Sequence, residues 1–254
     1  MVRDHNEDAV VSLPGQGLWA VADGMGGHAR GDYASQSVIK SLLDMTLPHD
    51  VQVAGQLNSI HRVLEQTSQR LIAKAQEISE QTIIGSTVVV VVINGNDLGI
   101  LWAGDSRAYR LRQGQLSQLT TDHTVANELI REQGFNYDDA RSAQDAEALT
   151  TAVGASVFAP ERCEDTTQPG DRFCLCSDGL NKVVPDWEIA SVLNAQSAPE
   201  AAAQQLLELS LARHATDNVS IIVVDCASRL DQVWFTPATY FLSTAREAPL
   251  DHYG

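Results

Sequence analysis

Residues 88–93 read Val-Val-Val-Val-Val-Ile, six consecutive β-branched side chains with no polar residue among them. Such a run forms a strand that cannot leave either face in water, so it must cross the middle of a structure covered on both sides. Asn94-Gly95-Asn96 closes it with a hairpin signal, and residues 98–103 return as a second strand.

The neighbouring sequence supplies the cover. Ala34, Val38 and Leu42 recur at helical spacing within residues 31–43, and Leu57, Ile60, Leu64, Leu71, Ala75 and Ile78 do the same within 51–78. A second helix pair is expected at 185–193 and 199–213, each with a proline in its first turn. Residues 88–116 read as an antiparallel meander, and 163–167 with 171–176 as a hairpin across Gln168-Pro169-Gly170. Residues 134–147 are polar and rich in Asp and Asn, and are expected to form a mobile flap between rigid strands. Strands that meet through hairpins, with helices in pairs, point to an α+β fold: a four-layer α-β-β-α sandwich of two antiparallel sheets, not a doubly wound sheet. No linker or repeat divides the chain, so residues 1–225 are read as one domain. Residues 226–254 are read as a C-terminal tail, packed on the domain or partly disordered.

The formal net charge of -16 argues against nucleic acid or an anionic membrane surface as a partner, since both demand basic residues. No apolar run reaches the length of a membrane span and no leader is evident, which places the expected location in the cytoplasm. The four cysteines lack zinc-ligand spacing; Cys174 and Cys176 alternate within a strand and read as small core residues.

Chemistry enters with a recurring pattern, a strand that stops at an acid beside glycine. Ala20-Val21-Ala22-Asp23-Gly24-Met25-Gly26-Gly27-His28 is the fullest case; Gly104-Asp105 and Ser177-Asp178-Gly179 repeat it, and Asp217-Asn218 precedes the last strand. A sandwich would gather these four acids at one end. The Gly24 carbonyl beside the Asp23 carboxylate makes a pair of hard oxygen donors suited to Mg²⁺ or Mn²⁺. Clustered carboxylates repel, and a two-metal centre with ions about 3.5–4 Å apart resolves the repulsion; its usual chemistry is hydrolysis of a phosphate ester by an activated water.

These residues carry a resemblance. Arg3 with Glu7-Asp8, Asp23-Gly24-Met25-Gly26-Gly27-His28, Gly85-Ser86-Thr87, Gly104-Asp105-Ser106-Arg107-Ala108, Leu149-Thr150 with Val153-Gly154, Gly170-Asp171 with Ser177-Asp178-Gly179-Leu180, and Asp217-Asn218-Val219-Ser220 follow one another as in the bacterial branch of the metal-dependent serine/threonine protein phosphatases of the 2C (PPM) family. The resemblance implies that Asp23 bridges two Mn²⁺ or Mg²⁺ ions, with the Gly24 carbonyl on one and Asp178 and Asp217 on the other. It implies that Glu7 and Asp8 bind through water, that Asp105 with Asp178 forms a weaker third site to which Ser142 contributes, and that Arg3 grips the substrate phosphate. The histidine that animal members carry two residues after the bridging acid is Met25 here, and His28 reads as structural. The implied substrates are phosphoserine and phosphothreonine proteins, opposite a cognate bacterial kinase, and the expected state is a monomer. Two alternatives are a pseudophosphatase that only binds phosphoproteins, which intact Asp23, Asp178 and Asp217 disfavour, and a hydrolase of small phosphoesters.

Overall fold

The computed structural model describes residues 5–26, 30–48, 50–229 and 232–236. The valine run becomes β4 (Val88–Asn94), paired with β5 (Asp97–Ala103) across a tight turn in which Gly95 takes φ 63°. Its alternation sorts the side chains into two cores. Val88, Val90 and Val92 pack with Val38 and Leu42 of α1 (Gly31–Leu43) and with Leu57, Ile60 and Leu64 of α2 (Val53–Gln76). Val89, Val91 and Ile93 face the other way, onto Phe173 and Leu175 of β9 (Arg172–Cys176) and Ile222 and Val224 of β10 (Ile221–Arg229).

Two more strands precede these, β1 (Asp8–Leu13) and β2 (Leu18–Met25), and a short β3 (Gly85–Ser86) attaches to β2. With β8 (Glu161–Thr166) they complete a first sheet in the order β1-β2-β4-β5-β8. The second sheet adds β6 (Arg107–Arg112), β7 (Gln115–Gln118) and β11 (Gln232–Thr236) in the order β11-β10-β9-β6-β7. Every strand pair among the described residues is antiparallel. Cys174 and Cys176 turn outward from β9 onto Ile189 and Val192 of α6 (Asp186–Ala195) and Leu206 of α7 (Pro199–Ala212). The result is the expected α-β-β-α order, with an apolar core at each of its three seams.

Two expectations about connectivity are corrected. Residues 163–167 and 171–176 do not form a hairpin: β8 lies at the edge of the first sheet on β5, and β9 lies in the second sheet between β6 and β10. The difference is written in their polarity, for β8 is largely exposed and β9 is buried throughout. The meander likewise breaks at Gly104, where φ 107° turns the chain from the first sheet into the second; a Cβ there would lie 2.6 Å from Thr87 Cγ2. The segment 134–147, expected as a mobile flap, carries α4 (Tyr137–Arg141). This helix packs on α3 (Val125–Gln133) through Ala126, Ala140 and Ala146. The expected boundary at residue 225 falls inside β10, which runs on to Arg229 and pairs with β11.

One polar group locks the second sheet to its helices. Arg172, 8% exposed, holds Asp225 on the neighbouring strand through Nε at 2.5 Å and Nη2 at 2.7 Å. Its Nη1 also donates to the carbonyls of Leu193 and Gln196 at 2.7 and 2.6 Å, at the C-terminal end of α6, where a cation suits the helix dipole. Arg172→Met strands a carboxylate and removes these bonds together. It is expected to cost about 3 kcal/mol of folding stability, the lower end for breaking a buried pair from one side. Chemical denaturation checks this, and an unchanged midpoint would remove Arg172 from the fold's support.

Candidate metal centre

The acids meet where strand ends of both sheets converge. Asp8 of β1 and Asp23 of β2 stand directly opposite each other in the strand register, a like-charge pair that destabilises an antiparallel ladder unless something offsets it. The Gly85-Ser86-Thr87 segment fixes Asp23. The Asp23 N–H donates to Thr87 Oγ1 at 3.0 Å, and its carbonyl accepts from the Thr87 N–H at 2.8 Å and the Ser86 hydroxyl at 3.0 Å. Gly24 then allows α1 to approach: a Cβ there would lie 1.9 Å from the Gly31 carbonyl oxygen. The site thus needs glycine at this position to let backbone meet backbone.

Asp105 lies on the turn that carries the chain between the sheets, and its neighbour Ser106 shares a 2.7 Å hydrogen bond with Thr87. His123 pins the same turn from behind. Its N–H donates to the Gly104 carbonyl at 3.0 Å, and its Nδ1 accepts from the Gly104 N–H at 3.2 Å. Burial pushes the His123 imidazole below its usual range, which keeps Nδ1 free to accept.

The second sheet contributes Asp178, in the first turn of α5 (Asp178–Asn181), and Asp217, just before β10. Both are stitched to the first sheet. The Ser177 hydroxyl donates to Asp8 Oδ2 at 2.7 Å and accepts from the Ser220 N–H at 2.9 Å. Asn218 Oδ1 accepts from the Glu7 N–H at 2.9 Å.

Together these elements wall a cavity of about 620 Å³, lined by Glu7, Asp23, Gly24, Asp105, Asp178 and Asp217 among others. Asp8 stands behind that wall, 5% exposed. Arg3 and His28 lie outside the described residues. Ser142 is exposed, its hydroxyl donating to the Asp138 carbonyl at 2.8 Å, and it does not line the cavity; Glu147 reaches the wall from that segment instead. Sequence reasoning also missed Lys182, whose ammonium bonds Asp178 Oδ2 from one turn away. The signal was present, because an acid and a lysine four residues apart on a helix are surface neighbours.

Burial and the surrounding carboxylates dominate the electrostatics. Burial, with added repulsion from Asp178, raises Asp8 and Asp105 from 3.8 to about 7. Asp23 faces the cavity, yet burial and then Asp8, Asp178, Asp105 and Asp217 hold its carboxyl well above the usual range. Cations would offset this repulsion, and the atoms of the site fit them. Asp178 Oδ1 is sealed from solvent and meets no hydrogen-bond donor, a costly state for a buried carboxylate oxygen unless an ion takes it. No three His, Cys, Asp or Glu side chains among the described residues make a ready cage. An ion here would fill its shell with the Gly24 carbonyl and water, as Mg²⁺ and Mn²⁺ commonly do.

A pH dependence follows for the metal-free chain. Asp8 and Asp105 bind protons more tightly folded than unfolded, so their contribution to stability is complete below pH 3.8 and is lost as the pH rises through about 7. The melting temperature of stripped protein is therefore expected to fall across this window on account of these groups. Mn²⁺ competes with those protons and should restore more at the upper end than at the lower. Calorimetric melting with and without Mn²⁺ checks both signs; an increment equal at both ends would contradict the assignment.

Comparison with known proteins agrees with this geometry. A family model described as Protein phosphatase 2C matches residues 3–214. The serine/threonine protein phosphatase PstP of Mycobacterium tuberculosis is 35% identical over 227 residues, which cover 89% of this chain and 43% of that protein. The chain thus spans less than half the length of this curated relative. The structure of PppA from Pseudomonas aeruginosa is similar with a TM-score of 0.78 at 37% identity, covering 88% of this chain and 91% of that one. The catalytic domain of PstP in complex with two manganese ions is similar with a TM-score of 0.74 at 33% identity, covering 90% of this chain and 94% of that one.

Proposed function

The chain belongs to the protein phosphatase 2C family, and on that premise we propose that it hydrolyses phosphoserine and phosphothreonine in proteins at a two-metal centre. The observation that carries this reading is the single cavity into which Asp23, Asp178 and Asp217 converge from different strand ends, with Asp178 Oδ1 buried and undonated. Asp23 with the Gly24 carbonyl, and Asp178 with Asp217, are the groups that would hold two Mn²⁺ or Mg²⁺ ions. Bound there, the ions would supply a nucleophilic water at neutral pH and neutralise charge on the phosphoryl group.

The chain's own residues do the positioning. Thr87 and Ser86 hold the Asp23 backbone, so its carboxylate enters the cavity at a fixed angle. Glu7, on the cavity wall, and Asp8, behind it, are assigned to water bound in the cavity, and Ser177 holds the Asp8 carboxylate by a hydrogen bond. Arg3 is assigned the substrate phosphate, because a planar guanidinium donates two parallel hydrogen bonds to a phosphoryl group. The proton for the leaving serine or threonine has no histidine source at Met25, so water in the cavity is assigned that role. All these groups come from one chain, which supports action as a monomer. The substrates would then be products of a serine/threonine kinase, the class of enzyme that makes these esters. Among the described residues no helix is long and apolar enough to cross a membrane.

The test is release of phosphate from phosphothreonine peptides as a function of Mn²⁺, set against small metabolite phosphates. Asp23→Asn and Asp178→Asn should each lower kcat/KM by more than about a hundredfold, since even residues that only support a metal ligand cost about 10–100-fold. Asp50, exposed and remote from the cavity wall, serves as control, and Asp50→Asn should leave the rate unchanged. Peptide hydrolysis that survives in both site variants would overturn the metal reading. Faster turnover of metabolite phosphates would move the substrate class to small phosphoesters.

A further inference from the structure

Lys182 is a cation inside an acidic cavity, and nothing above uses it. It follows Asp178 by one helical turn and lies 46% exposed against a carboxylate that is 9% exposed, so its ammonium enters from the solvent side and seals one edge of the site. It divides the Asp178 carboxylate in two: Oδ2 takes the lysine, and Oδ1 is left buried and undonated. Asp178, with Asp105 and Asp217 on the same cavity wall, keeps the lysine charged against the cost of its burial.

We propose that Lys182 is a tethered cation that fills the position between Asp178 and Asp105, and that the centre therefore holds two exchangeable metal ions and no third. The inference rests on the two-metal reading and replaces the weaker third ion expected at Asp105 and Asp178. The physical reason is a competition. A divalent ion at that position would have one or two carboxylates and otherwise water, a donor set from which Mg²⁺ and Mn²⁺ gain little. It would also have to approach a fixed positive charge at near-contact distance, where repulsion is not screened as in bulk water. The lysine holds its place without losing translational freedom on each turnover, because the helix delivers it beside Asp178 at any metal concentration. Lys182 thereby acts as a positioning residue: it keeps Asp178 and Asp105 compensated and sets the metal count, without contacting phosphorus.

The measurement is the number of Mn²⁺ ions bound per chain, by equilibrium dialysis with the free ion read by electron paramagnetic resonance. It is made on wild type, Lys182→Met, Lys182→Arg and the double variant Lys182→Met with Asp105→Asn; circular dichroism verifies that each is folded. Met keeps the length of the side chain and drops its charge, whereas Arg keeps the charge. Wild type and Lys182→Arg are expected to bind two ions. Lys182→Met is expected to gain a third, bound at least about tenfold more tightly than any third ion in wild type. The double variant should return to two. Three ions on wild type, or two on Lys182→Met, would overturn the role of Lys182 while leaving the two-metal reading intact. Wild type that binds no Mn²⁺ would overturn both.

Discussion

Mutual repulsion among carboxylates is the condition around which this molecule is arranged. Asp8 and Asp23 sit face to face on adjacent strands, and Asp105, Asp178 and Asp217 close around them from other elements. Left alone, each buried charge of this kind costs several kcal/mol. The scaffold tolerates the group because three apolar seams, centred on α2 with β4, on β4 with β9, and on β9 with α7, hold the strands that carry the acids. Local hydroxyls then offset part of the cost: Ser177 donates to Asp8, and Thr87 with Ser86 fixes the Asp23 backbone. What remains uncompensated is the site's affinity for cations.

The acids do not belong to one layer, and this ties chemistry to packing. Glu7, Asp8 and Asp23 ride on the first sheet, Asp178 and Asp217 on the second, and hydrogen bonds from Ser177 to Asp8 and from Glu7 to Asn218 cross between them. The relative placement of the two halves is set by the core between the sheets, where Trp19 and Phe173 are fully buried. A volume change there is read at the cavity as a shift in ligand separation, because close-packed interiors transmit strain. His123 performs a similar service on another side, where it joins the Asp105 turn, through Gly104, to Thr150 at the end of the segment that bears Glu147.

Much of this was legible in the residues. The valine run, the two helix pairs and the strand-acid-glycine pattern each encode their own environment, so periodicity located the layers and the acids located the mouth of the cavity. Connectivity was not legible in the same way. Residues 163–176 look like a hairpin because Gln168-Pro169-Gly170 is a turn, but a turn does not say which sheet its second arm will join. Only the contrast between charged Glu161, Glu164 and Asp165 and apolar Phe173 and Leu175 separates an edge strand from a central one. Ser142 was placed from resemblance alone, and it lies exposed at the C-terminal end of a helix that polar composition had concealed. Lys182 went unnoticed because the short helix that sets it beside Asp178 was not read from the sequence.

The cysteines of the second sheet have a consequence of another kind. Cys174 and Cys176 lie on β9 and Cys226 on β10, all free thiols and all buried. Burial lifts Cys174 and Cys226 to about 12 and Cys176 well above the usual thiol range, so none offers a thiolate at neutral pH. A thiol reagent reaches Cys174 and Cys176 only when α6 and α7, which cover them, lift from β9. The rate at which the native protein consumes such a reagent at these two positions is therefore a clock for the lifting of its own helix layer, counted in events that leave the sheets, and the ordinary spectroscopic signals, almost unchanged.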